Sequence, residues 1–421
     1  MPAHIRKRLS KLKSKRGRRG CVEVKFVAFF DVCLKELDKF VERWSERRPG
    51  RGVKILLPPH TLAEPSKGTT GFVIFESKDL EETKEYLTRF KLAGADVKLY
   101  PIWEDSKLAE KLASFREAKQ KTEIQWQRST FQKLEDLGTT NYLEILPLID
   151  WHKSRDDLKV EAGVSYLVKT DENSILFDVG LNHEQSDPSP LLHNMKQLGV
   201  TTDDFDIIVI SHNHGDHVGG GKWSKKQTFS LTNIQIDLGD KRVYTPIPMT
   251  YPRLKPIHSK DPTVIAKGVA TIGTISNSIW LSDGVHLEQE QALAVNVEGK
   301  GIVLIVGCGH QTLPKILKRT DSLFEEPIYG VVGGLHLPVE GGPYEIMGMT
   351  PHKYFGAGKL PWQPITTDEL EENIELLKKR SPKVVSLSPH DSSKASIEAF
   401  RNAFPTAYKD VEVGKSIIIY S

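Results

Sequence analysis

The sequence predicts an α+β protein of two parts: a small N-terminal α/β module and a larger C-terminal domain in which two β-sheets pack between outer helices. Three observations support this prediction. The chain has 421 residues, which exceeds the usual size of a single domain. Residues 21–105 alternate strand and helix patterns. From Tyr142 onward, strand patterns repeat between turns rich in Gly, Pro and Asp.

The extreme N-terminus is strongly basic. Residues 1–20 carry no acidic side chain, and the basic ones are Arg6, Lys7, Arg8, Lys11, Lys13, Lys15, Arg16, Arg18 and Arg19. We predict a solvated, disordered tail, because blocks of like charge repel one another. A polyanion-binding arm is the alternative interpretation. An organelle-targeting segment is disfavoured, because the tail lacks an apolar run and has little serine.

Residues 21–105 are predicted to form a ferredoxin-like module. Four strands and two helices follow one another in the order βαββαβ with short loops, which is the order of a split βαβ sandwich. The module contains no cluster of chemically reactive residues, so we expect either an interaction, dimerisation or ligand-binding unit, or a scaffold appendage. The strands are predicted at Cys21–Phe29, Gly52–Leu57, Gly71–Glu76 and Val97–Ile102, and the helices at Leu34–Trp44 and Leu80–Ala93.

A charged segment of helical pattern separates the two parts. Residues 106–140 are interpreted as a linker helix, anchored by few apolar side chains such as Trp126 and Phe131. Residues 141–421 then form the two-sheet domain. Within it, Thr350–Pro364 is irregular and rich in Gly, Pro and aromatic residues, which indicates a long loop over a pocket.

The composition restricts the function classes. The formal net charge is +3, which is small for this length and gives no reason to expect a nucleic-acid partner. The three cysteines, Cys21, Cys33 and Cys308, cannot form a disulfide framework or a four-thiolate zinc site. No apolar run approaches the roughly 20 residues that span a bilayer. We therefore expect a soluble cytoplasmic protein with a small-molecule substrate; a homo-oligomer remains open.

A histidine-rich turn is the most specific feature of the sequence. The run Ser-His-Asn-His-Gly-Asp-His occupies residues 211–217, directly after the apolar run Ile207–Ile210. Clustered imidazole and carboxylate groups at a strand end are costly unless they bind something. Neutral imidazole and carboxylate suit zinc, iron or manganese. We therefore predict a metal site, and expect two ions, with His212, His214, Asp216 and His217 as ligands.

Two further histidines follow later strands. His310 comes just after the strand pattern Gly301–Val306, and His390 just after Lys383–Leu387. In layered α/β folds, ligands collect at the carboxyl ends of strands. We predict that both histidines complete the metal shells.

Asp178 ends a predicted strand, Ser174–Phe177, and precedes Val179 and Gly180. Such an aspartate either forms the turn or accepts a hydrogen bond that fixes the tautomer of a metal-binding histidine or the metal-bound water. Both interpretations remain open.

The combination of strand-Asp-x-Gly, His-x-His-x-Asp-His and two isolated later histidines resembles the metallo-β-lactamase superfamily. The resemblance covers about residues 142–421. The finer pattern resembles the branch of 7,8-dihydropterin-6-ylmethyl-4-(β-D-ribofuranosyl)aminobenzene-5'-phosphate synthase and its metal-dependent hydrolase relatives. The segments that carry it are Glu161–Ser165, Asn194 with Leu198–Val200, Gln291–Leu293, Gly307–His310 and Gly333–Leu337.

The resemblance implies a four-layer αββα sandwich with the site at the edge between the sheets. It implies one metal held by His212, His214 and His310, and a second held by Asp216, His217 and His390. Many superfamily members have a bridging aspartate where this chain has Cys308, although the branch it resembles also has cysteine there. Cys308 is interpreted as a thiolate ligand, a neutral wall residue or a buried thiol. The branch's usual Gly and Tyr spacers are replaced by Asn213 and Gly215.

The predicted function is hydrolysis by a metal-activated hydroxide, acting on a small-molecule ester, phosphoester or lactone, with two divalent ions that we expect to be zinc, or else manganese or iron. Asp216 is predicted to orient the nucleophile. His336, beside two glycines, is predicted either to reach substrate or metal or to be a satisfied structural histidine. The alternative function joins a dihydropterin diphosphate to an arylamine ribofuranosyl phosphate and releases pyrophosphate. A metal-stabilised binding or sensing protein is a third hypothesis.

Overall fold

The computed structural model describes residues 24–32, 53–64, 68–77, 80–92, 94–102, 105–281, 284–343 and 350–421. Two compact units are present: a smaller one that ends at Asp105, and a larger one that comprises residues 106–345 and 350–421. The predicted basic tail, the predicted helix at Leu34–Trp44, Cys21 and Cys33 lie outside the described residues. Within the described ranges, no helix combines the length and apolar character needed to cross a membrane.

The smaller unit is a four-stranded antiparallel sheet with a helix on one face. Strands β1 (Val24–Val32), β2 (Val53–Glu64), β3 (Gly68–Ser77) and β4 (Asp96–Ile102) lie in the order β2-β3-β1-β4, and helix α1 spans Leu80–Leu92. Alternate residues of each strand point to opposite faces. The buried face packs Phe30 against Phe90 of α1, with ring centroids 5.3 Å apart. The complete βαββαβ order stays a prediction, because its first helix is not described.

The helix predicted over residues 106–140 is shorter than expected. Helix α2 spans Asp105–Arg128, and the residues after it form neither helix nor strand up to an isolated bridge between Thr140 and Val297. The helix ends because the apolar side chains beyond it are drawn into the core of the larger unit: Leu137 is buried there, and Phe131 and Leu134 pack against it. Arg319 stacks 3.5 Å above the ring of Phe131. The structure therefore corrects the predicted helical extent.

The larger unit contains two large sheets and a separate hairpin. One sheet has the order β10-β9-β8-β7-β6-β5-β19, the other β11-β12-β15-β16-β17-β18, and β13 pairs with β14. The strands are β5 Tyr142–Ile149, β6 Ser165–Thr170, β7 Ser174–Phe177, β8 Ile207–Val209, β9 Arg242–Thr245, β10 Ile257–His258, β11 Thr263–Ala266, β12 Val269–Thr271, β13 Ile275–Leu281, β14 Gly284–Glu290, β15 Leu293–Val297, β16 Gly301–Val306, β17 Ile328–Gly333, β18 Val384–Leu387 and β19 Ile417–Tyr420. The mixed α and β content agrees with the predicted class.

After α2, the larger unit contains seven more helices in the residues that the structure describes. They are α3 Pro190–Gln197, α4 Gly215–Val218, α5 Gly221–Ser224, α6 Leu313–Leu323, α7 Pro351–Tyr354, α8 Thr367–Lys378 and α9 Lys394–Ala403, with a 3-10 turn at Thr202–Asp204. One hydrophobic core contains residues of both sheets, such as Phe177 and Ile305. A second core joins the six-stranded sheet to α6, α8 and α9, and a third joins the seven-stranded sheet to α3.

Parallel pairing sets the position of the polar turns. Strands β7, β8 and β9 pair in parallel, as do β16, β17 and β18. Parallel neighbours bring their carboxyl ends to the same edge of a sheet. The turns after β7, β8, β16, β17 and β18 carry Asp178, the histidine-rich run, Cys308 with His310, His336 and His390, respectively.

Candidate metal centre

The histidine-rich turn leaves β8 and immediately enters the short helix α4. His214 precedes the first residue of α4, and His217 lies buried within it. A hydrogen bond from a neighbouring loop fixes the backbone of α4: the N–H of Val164 donates to the carbonyl oxygen of Asp216 at 3.1 Å. A Cβ at Gly163 would lie 2.6 Å from that same oxygen, so only glycine permits this close approach. The turn is therefore fixed by backbone contacts to a neighbouring loop.

Two groups of side chains in the larger unit are arranged so that each could hold a metal ion. We name His212, His214 and His310 the three-histidine group, and Asp216, His217, Cys308 and His390 the mixed group. In each group the potential ligand atoms all lie within 4.8 Å of one another. The structure thus brings His310 and His390, which come from distant segments, to the histidine-rich turn, and adds Cys308.

The three-histidine group is compact, with His212 and His310 buried and His214 partly exposed. The ring centroids of His212 and His214 lie 4.6 Å apart, and that of His310 lies 5.0 and 4.8 Å from them. Nε2 of both His212 and His310 is buried without a hydrogen-bond partner. Buried polar atoms are rarely left unpaired, so these nitrogens fit a ligand such as a cation.

Four of these histidines use Nδ1 as a hydrogen-bond donor to a nearby oxygen. They are His212, His217, His310 and His390. Asp178 Oδ2 accepts from His217 Nδ1 at 2.7 Å. Gly356 O accepts from His310 Nδ1 at 2.9 Å. Ser211 Oγ donates its single proton to Asp178, so it must accept from His212 Nδ1. In the same way, Ser388 Oγ donates to Asp150 and therefore accepts from His390 Nδ1. In the neutral form of each ring, Nε2 therefore keeps the lone pair that a metal ligand requires.

Cys308 lies at the centre of the mixed group. Its Sγ is 3.1 Å from Nε2 of His217 and 3.1 Å from Nε2 of His390. Asp216 Oδ2 lies 3.5 Å from the same nitrogen of His217. Imidazole, carboxylate and thiol together form a donor set that zinc accepts.

The electrostatics of the mixed group favour a positive charge. Burial would lower the pKa of His217, but the neighbouring Cys308, Asp216 and Asp178 hold it well above its usual value. Burial would raise the pKa of Asp216, yet His217 and other histidines hold it below the usual range. The carboxylates of Asp216 and Asp178 therefore favour a positive charge at this position, whereas burial raises the pKa of the Cys308 thiol well above its usual value.

Two rings of the three-histidine group, His212 and His310, are instead kept neutral, whereas burial would lower the pKa of His214 but the Glu288 carboxylate beside it raises that pKa above its usual value. Burial lowers the pKa of both His212 and His310 well below the usual value, and the neighbouring histidines lower it further. Neutral imidazole is the form that binds metals.

Asp178 serves both roles that the sequence left open. Its backbone φ is +60°, so it makes the turn after β7. Its side chain also accepts from Ser211 N at 2.7 Å, from Ser211 Oγ at 2.6 Å and from His217. It does not belong to either group of potential ligands.

Two orienting residues escaped the sequence analysis. Asp150 Oδ2 accepts from Ser388 Oγ at 2.7 Å, and Ser388 in turn holds His390. Asp150 also accepts from Tyr166 OH at 2.7 Å. The available signal was an aspartate directly after a strand, the same signal that singled out Asp178.

Glu290, a third residue that the sequence did not single out, shapes the turn that carries Cys308 and His310. Its Oε1 accepts from the backbone N–H groups of Cys308 and Gly309 at 3.0 and 2.9 Å. Burial raises the pKa of Glu290 to about 7. Its neighbour on β14, Glu288, places Oε2 2.9 Å from His214 Nε2.

His336 lies beside the centre but in neither group. Its ring centroid is 4.7 Å from that of His310, and its Nε2 donates to Phe355 O at 3.0 Å. Nδ1 is buried without a partner. Burial lowers the pKa of His336 to about 3, so the ring is neutral.

The segment Thr350–Pro364 packs over His310 and His336, and we call it the strap. It begins with α7 and then runs irregularly, with Phe355 and Gly356 buried. The carbonyls of these two residues accept from His336 and His310. His352, at the start of the strap, has its ring centroid 6.0 Å from that of His336. The strap therefore closes one side of the centre.

A cavity of about 310 Å³ lies between the strap, α2, α6 and α8, and reaches His310 and His336. Its lining is mixed, with apolar side chains such as Leu313 and Leu335 beside charged ones. Three lysines line it, each with an oxygen partner: Lys119 with Gly358, Lys315 with Glu123, and Lys359 with Glu369.

Comparison with known proteins identifies relatives of this chain. Residues 158–229 match the family model described as metallo-β-lactamase superfamily. The chain is similar to the 7,8-dihydropterin-6-methyl-4-(β-D-ribofuranosyl)-aminobenzene-5'-phosphate synthase of Methanocaldococcus jannaschii, with 26% identity over 243 residues, covering 48% of this chain and 81% of the relative. An uncharacterized protein of the same organism is 26% identical over 194 residues, covering 42% of this chain and 72% of the relative.

A solved structure of a metal-dependent hydrolase of the β-lactamase superfamily is also similar. It is 21% identical, with a TM-score of 0.47, and the match covers 66% of this chain and all of that one, 100%. The family model and the curated relatives agree with the resemblance that the motifs of the sequence predicted. Residues 158–229 are thus similar to the metallo-β-lactamase superfamily, and the chain is similar to the named synthase.

Proposed function

We propose that each of the two groups holds a divalent metal ion and that the larger unit is a dinuclear metal-dependent hydrolase of small-molecule esters, phosphoesters or lactones. The observation that carries the proposal is the convergence of seven side chains, three in one group and four in the other, at a strand-end edge. The buried lone pairs of His212 and His310 fit the proposed ions. Zinc is the ion that the donor set favours, with manganese or iron as alternatives.

The chain's own residues would orient the ligand histidines and leave one side of the centre open to substrate and water. Divalent ions in such sites act as Lewis acids and activate water for attack. Asp178, Ser211 and Ser388 hold the Nδ1 protons of the ligand histidines and so fix the direction of each Nε2. Asp216 is the one member of the mixed group whose side chain is partly exposed, with 22% of it accessible. In the three-histidine group, the side chain of His214 is exposed to a similar extent, 21%. We assign to Asp216 the orientation of the attacking water on this open side.

Group transfer is the second candidate. The observation that favours it is the similarity to a curated relative named as a synthase of a dihydropterin–ribofuranosylaminobenzene phosphate. On this hypothesis, an arylamine carrying a ribofuranosyl phosphate displaces pyrophosphate from a dihydropterin diphosphate. The cavity beside His310 and His336 is a candidate place for one of the two substrates. The same residues would then position a leaving diphosphate instead of an attacking water.

The two reactions release different products, so one experiment distinguishes them. Purified full-length protein is given phosphomonoesters, phosphodiesters, lactones and esters singly, and a dihydropterin diphosphate with and without the arylamine. Turnover of a single substrate supports hydrolysis, whereas pyrophosphate release that requires both substrates supports transfer. Activity should vanish on chelation, return with zinc or manganese, and be lost in the variant Asp216→Asn. Full activity of the metal-free protein would contradict both candidates.

The proposal extends to the architecture. We infer a four-layer αββα sandwich, which is supported by the three hydrophobic cores described above. We infer a ferredoxin-like N-terminal unit, which is supported by the strand order β2-β3-β1-β4 and its antiparallel pairing. A crystal structure of the full chain tests both inferences.

A further inference from the structure

The β13–β14 hairpin is separate from the two large sheets, yet one of its faces contacts the metal centre. Asn277 on β13 lies directly opposite Glu288 on β14, and Ile275 lies opposite Glu290. Residues opposite each other, and alternate residues along one strand, share a face of a hairpin. Asn277, Glu288 and Glu290 therefore lie on the same face, and we call these three side chains the hairpin face.

The hairpin face is polar but buried. Its three residues, in chain order, are 4%, 8% and 0% exposed. Buried polar groups are costly unless they are paired. Asn277 Nδ2 donates to the carbonyl oxygen of His310 at 2.7 Å, and Glu288 Oε2 lies 2.9 Å from His214 Nε2. Two of the three polar residues therefore contact members of the three-histidine group, and Glu290 holds the turn before His310, as described above.

His310 is held at both its backbone and its ring. Asn277 contacts the backbone carbonyl, and Gly356 O accepts from the ring at Nδ1, at 2.9 Å. Gly356 N in turn donates to the carbonyl oxygen of Trp280 at 3.1 Å, three residues after Asn277 on β13. The contacts thus form a closed loop that begins and ends on the hairpin. With both ends of the His310 side chain held, the direction of Nε2 is fixed.

The strap is shaped to fit over Asn277. Gly358 has φ +67°, and a Cβ there would lie 2.7 Å from Asn277 Nδ2. Only glycine permits both this backbone conformation and this close approach. The amide of Asn277 is therefore enclosed by the strap on one side and by the turn of His310 on the other.

We infer that the hairpin face is the outer support of the three-histidine group and that Asn277 is a positioning residue for His310. The inference rests on the proposed function, because it concerns the ion that this group would hold. Residues that fix the ligand side chains of a metal site typically contribute 10- to 100-fold to metal affinity. Glu288, opposite Asn277, supports the same group at His214.

The inference is specific for one of the two ions. The histidine rings of the mixed group are held from other elements: Asp178, after β7, accepts from His217, and Ser388, after β18, accepts from His390. A change at Asn277 leaves these two contacts in place. It should therefore weaken the ion of the three-histidine group and spare the ion of the mixed group.

The test measures both zinc affinities of the full-length protein by competition with a chelating dye. Asn277→Leu keeps similar bulk but removes the donor to His310, so we expect one affinity to fall about tenfold or more and the other to stay unchanged. In the cobalt-loaded variant, the visible absorption of one ion should change. Asn296→Leu is the matched control, because Asn296 is 2% exposed and its Nδ2 donates to the carbonyl oxygen of Gly138 at 3.1 Å.

A second variant covers the case in which Asn277→Leu does not fold, which circular dichroism detects. Glu288→Gln keeps the shape of the side chain and removes its charge, so it should weaken the same ion by a smaller factor. Unchanged affinities and an unchanged cobalt spectrum in Glu288→Gln would then overturn the inference.

Three outcomes with folded Asn277→Leu would overturn the inference. They are zinc affinities equal to those of wild type, an equal loss of both ions, and the same loss in Asn296→Leu. A wild type that binds no zinc would overturn the proposed function, and this inference with it. A wild type that binds two ions, beside an Asn277→Leu variant that binds them as tightly, would overturn this inference alone.

Discussion

At the scale of single residues, the centre depends on which nitrogen of each histidine carries the proton. Four rings donate Nδ1–H to an oxygen, and three of those oxygens belong to Asp178, Ser388 and the strap carbonyl of Gly356. The protein therefore fixes the orientation of four rings, and with it the position of each Nε2, before any ligand arrives. A change in an orienting residue should alter metal affinity without removing a ligand.

Asp178→Asn tests this orienting role. The substitution preserves shape but removes the charge that holds His217 Nδ1–H, so we expect one of two ions to bind about 10- to 100-fold more weakly. Competition with a chelating dye measures the affinity. Asp237→Asn changes an aspartate at the surface, where it pairs with Arg253, and should leave both affinities unchanged. Equal affinities in Asp178→Asn and wild type would show that Asp178 is only a turn residue.

His336 predicts a pH dependence of the metal-free protein. Burial lowers its pKa from 6.5 to about 3, so the folded chain binds this proton less readily than the unfolded chain does. The stabilisation is complete above the unfolded-state pKa and is lost as pH falls from 6.5 toward 3. The thermal midpoint of chelator-treated His336→Gln should therefore fall less than that of wild type between about pH 7 and pH 5. His152→Gln changes a histidine at an exposed site and is the control. If the thermal midpoint of His336→Gln fell as steeply with pH as that of wild type, the prediction would be refuted.

At the scale of elements, the strap connects a loop to the centre. Gly356 has φ +89°, and a Cβ there would lie 2.7 Å from His336 Cε1 and 3.1 Å from His310 Cε1. Neither ring can move easily, because each donates to a strap carbonyl. A larger residue at this position must therefore displace the strap.

Gly356→Ala should weaken the ion held by the three-histidine group by about tenfold or more, because His310 loses its carbonyl partner. Metal content after dialysis against a weak chelator measures the effect. Gly239→Ala is the matched control: it has φ +63° and nothing within 4 Å of the added Cβ, so it shares the backbone strain without the contact. Equal metal retention by the two variants would mean that the strap does not support the centre.

Helix α2 is integrated into the larger unit through Trp126. This side chain packs against the core beside Phe131, and Arg319 lies 5.4 Å from its ring. Trp126→Ala should lower the stability of the larger unit by about 1–3 kcal/mol, less than for a fully buried tryptophan. Urea denaturation followed by circular dichroism measures the loss. Ile124→Ala, on the exposed side of the same helix, should cost much less; equal losses would indicate a helix that merely links the two units.

At the scale of the whole molecule, strand-end positions could be predicted from sequence, but contacts between distant segments could not. His310 and His390 were predicted because each follows an apolar strand pattern. Asp150 holds His390 through Ser388, which is 238 residues away in sequence, and no local pattern reports such a pairing. The predicted linker helix was too long, because it ends at Arg128. The spacing of the apolar residues in 129–137 reflects their burial in the core of the larger unit, which local helix propensity does not capture.

The cation-binding role of the two groups is the central claim, and anomalous scattering from crystals of the zinc-loaded full-length protein tests it most directly. We expect two peaks, one coordinated by the three-histidine group and one by the mixed group, with ligand distances of about 2.0–2.3 Å. A zinc-loaded crystal in which His310 and His390 contact no ion would contradict the account.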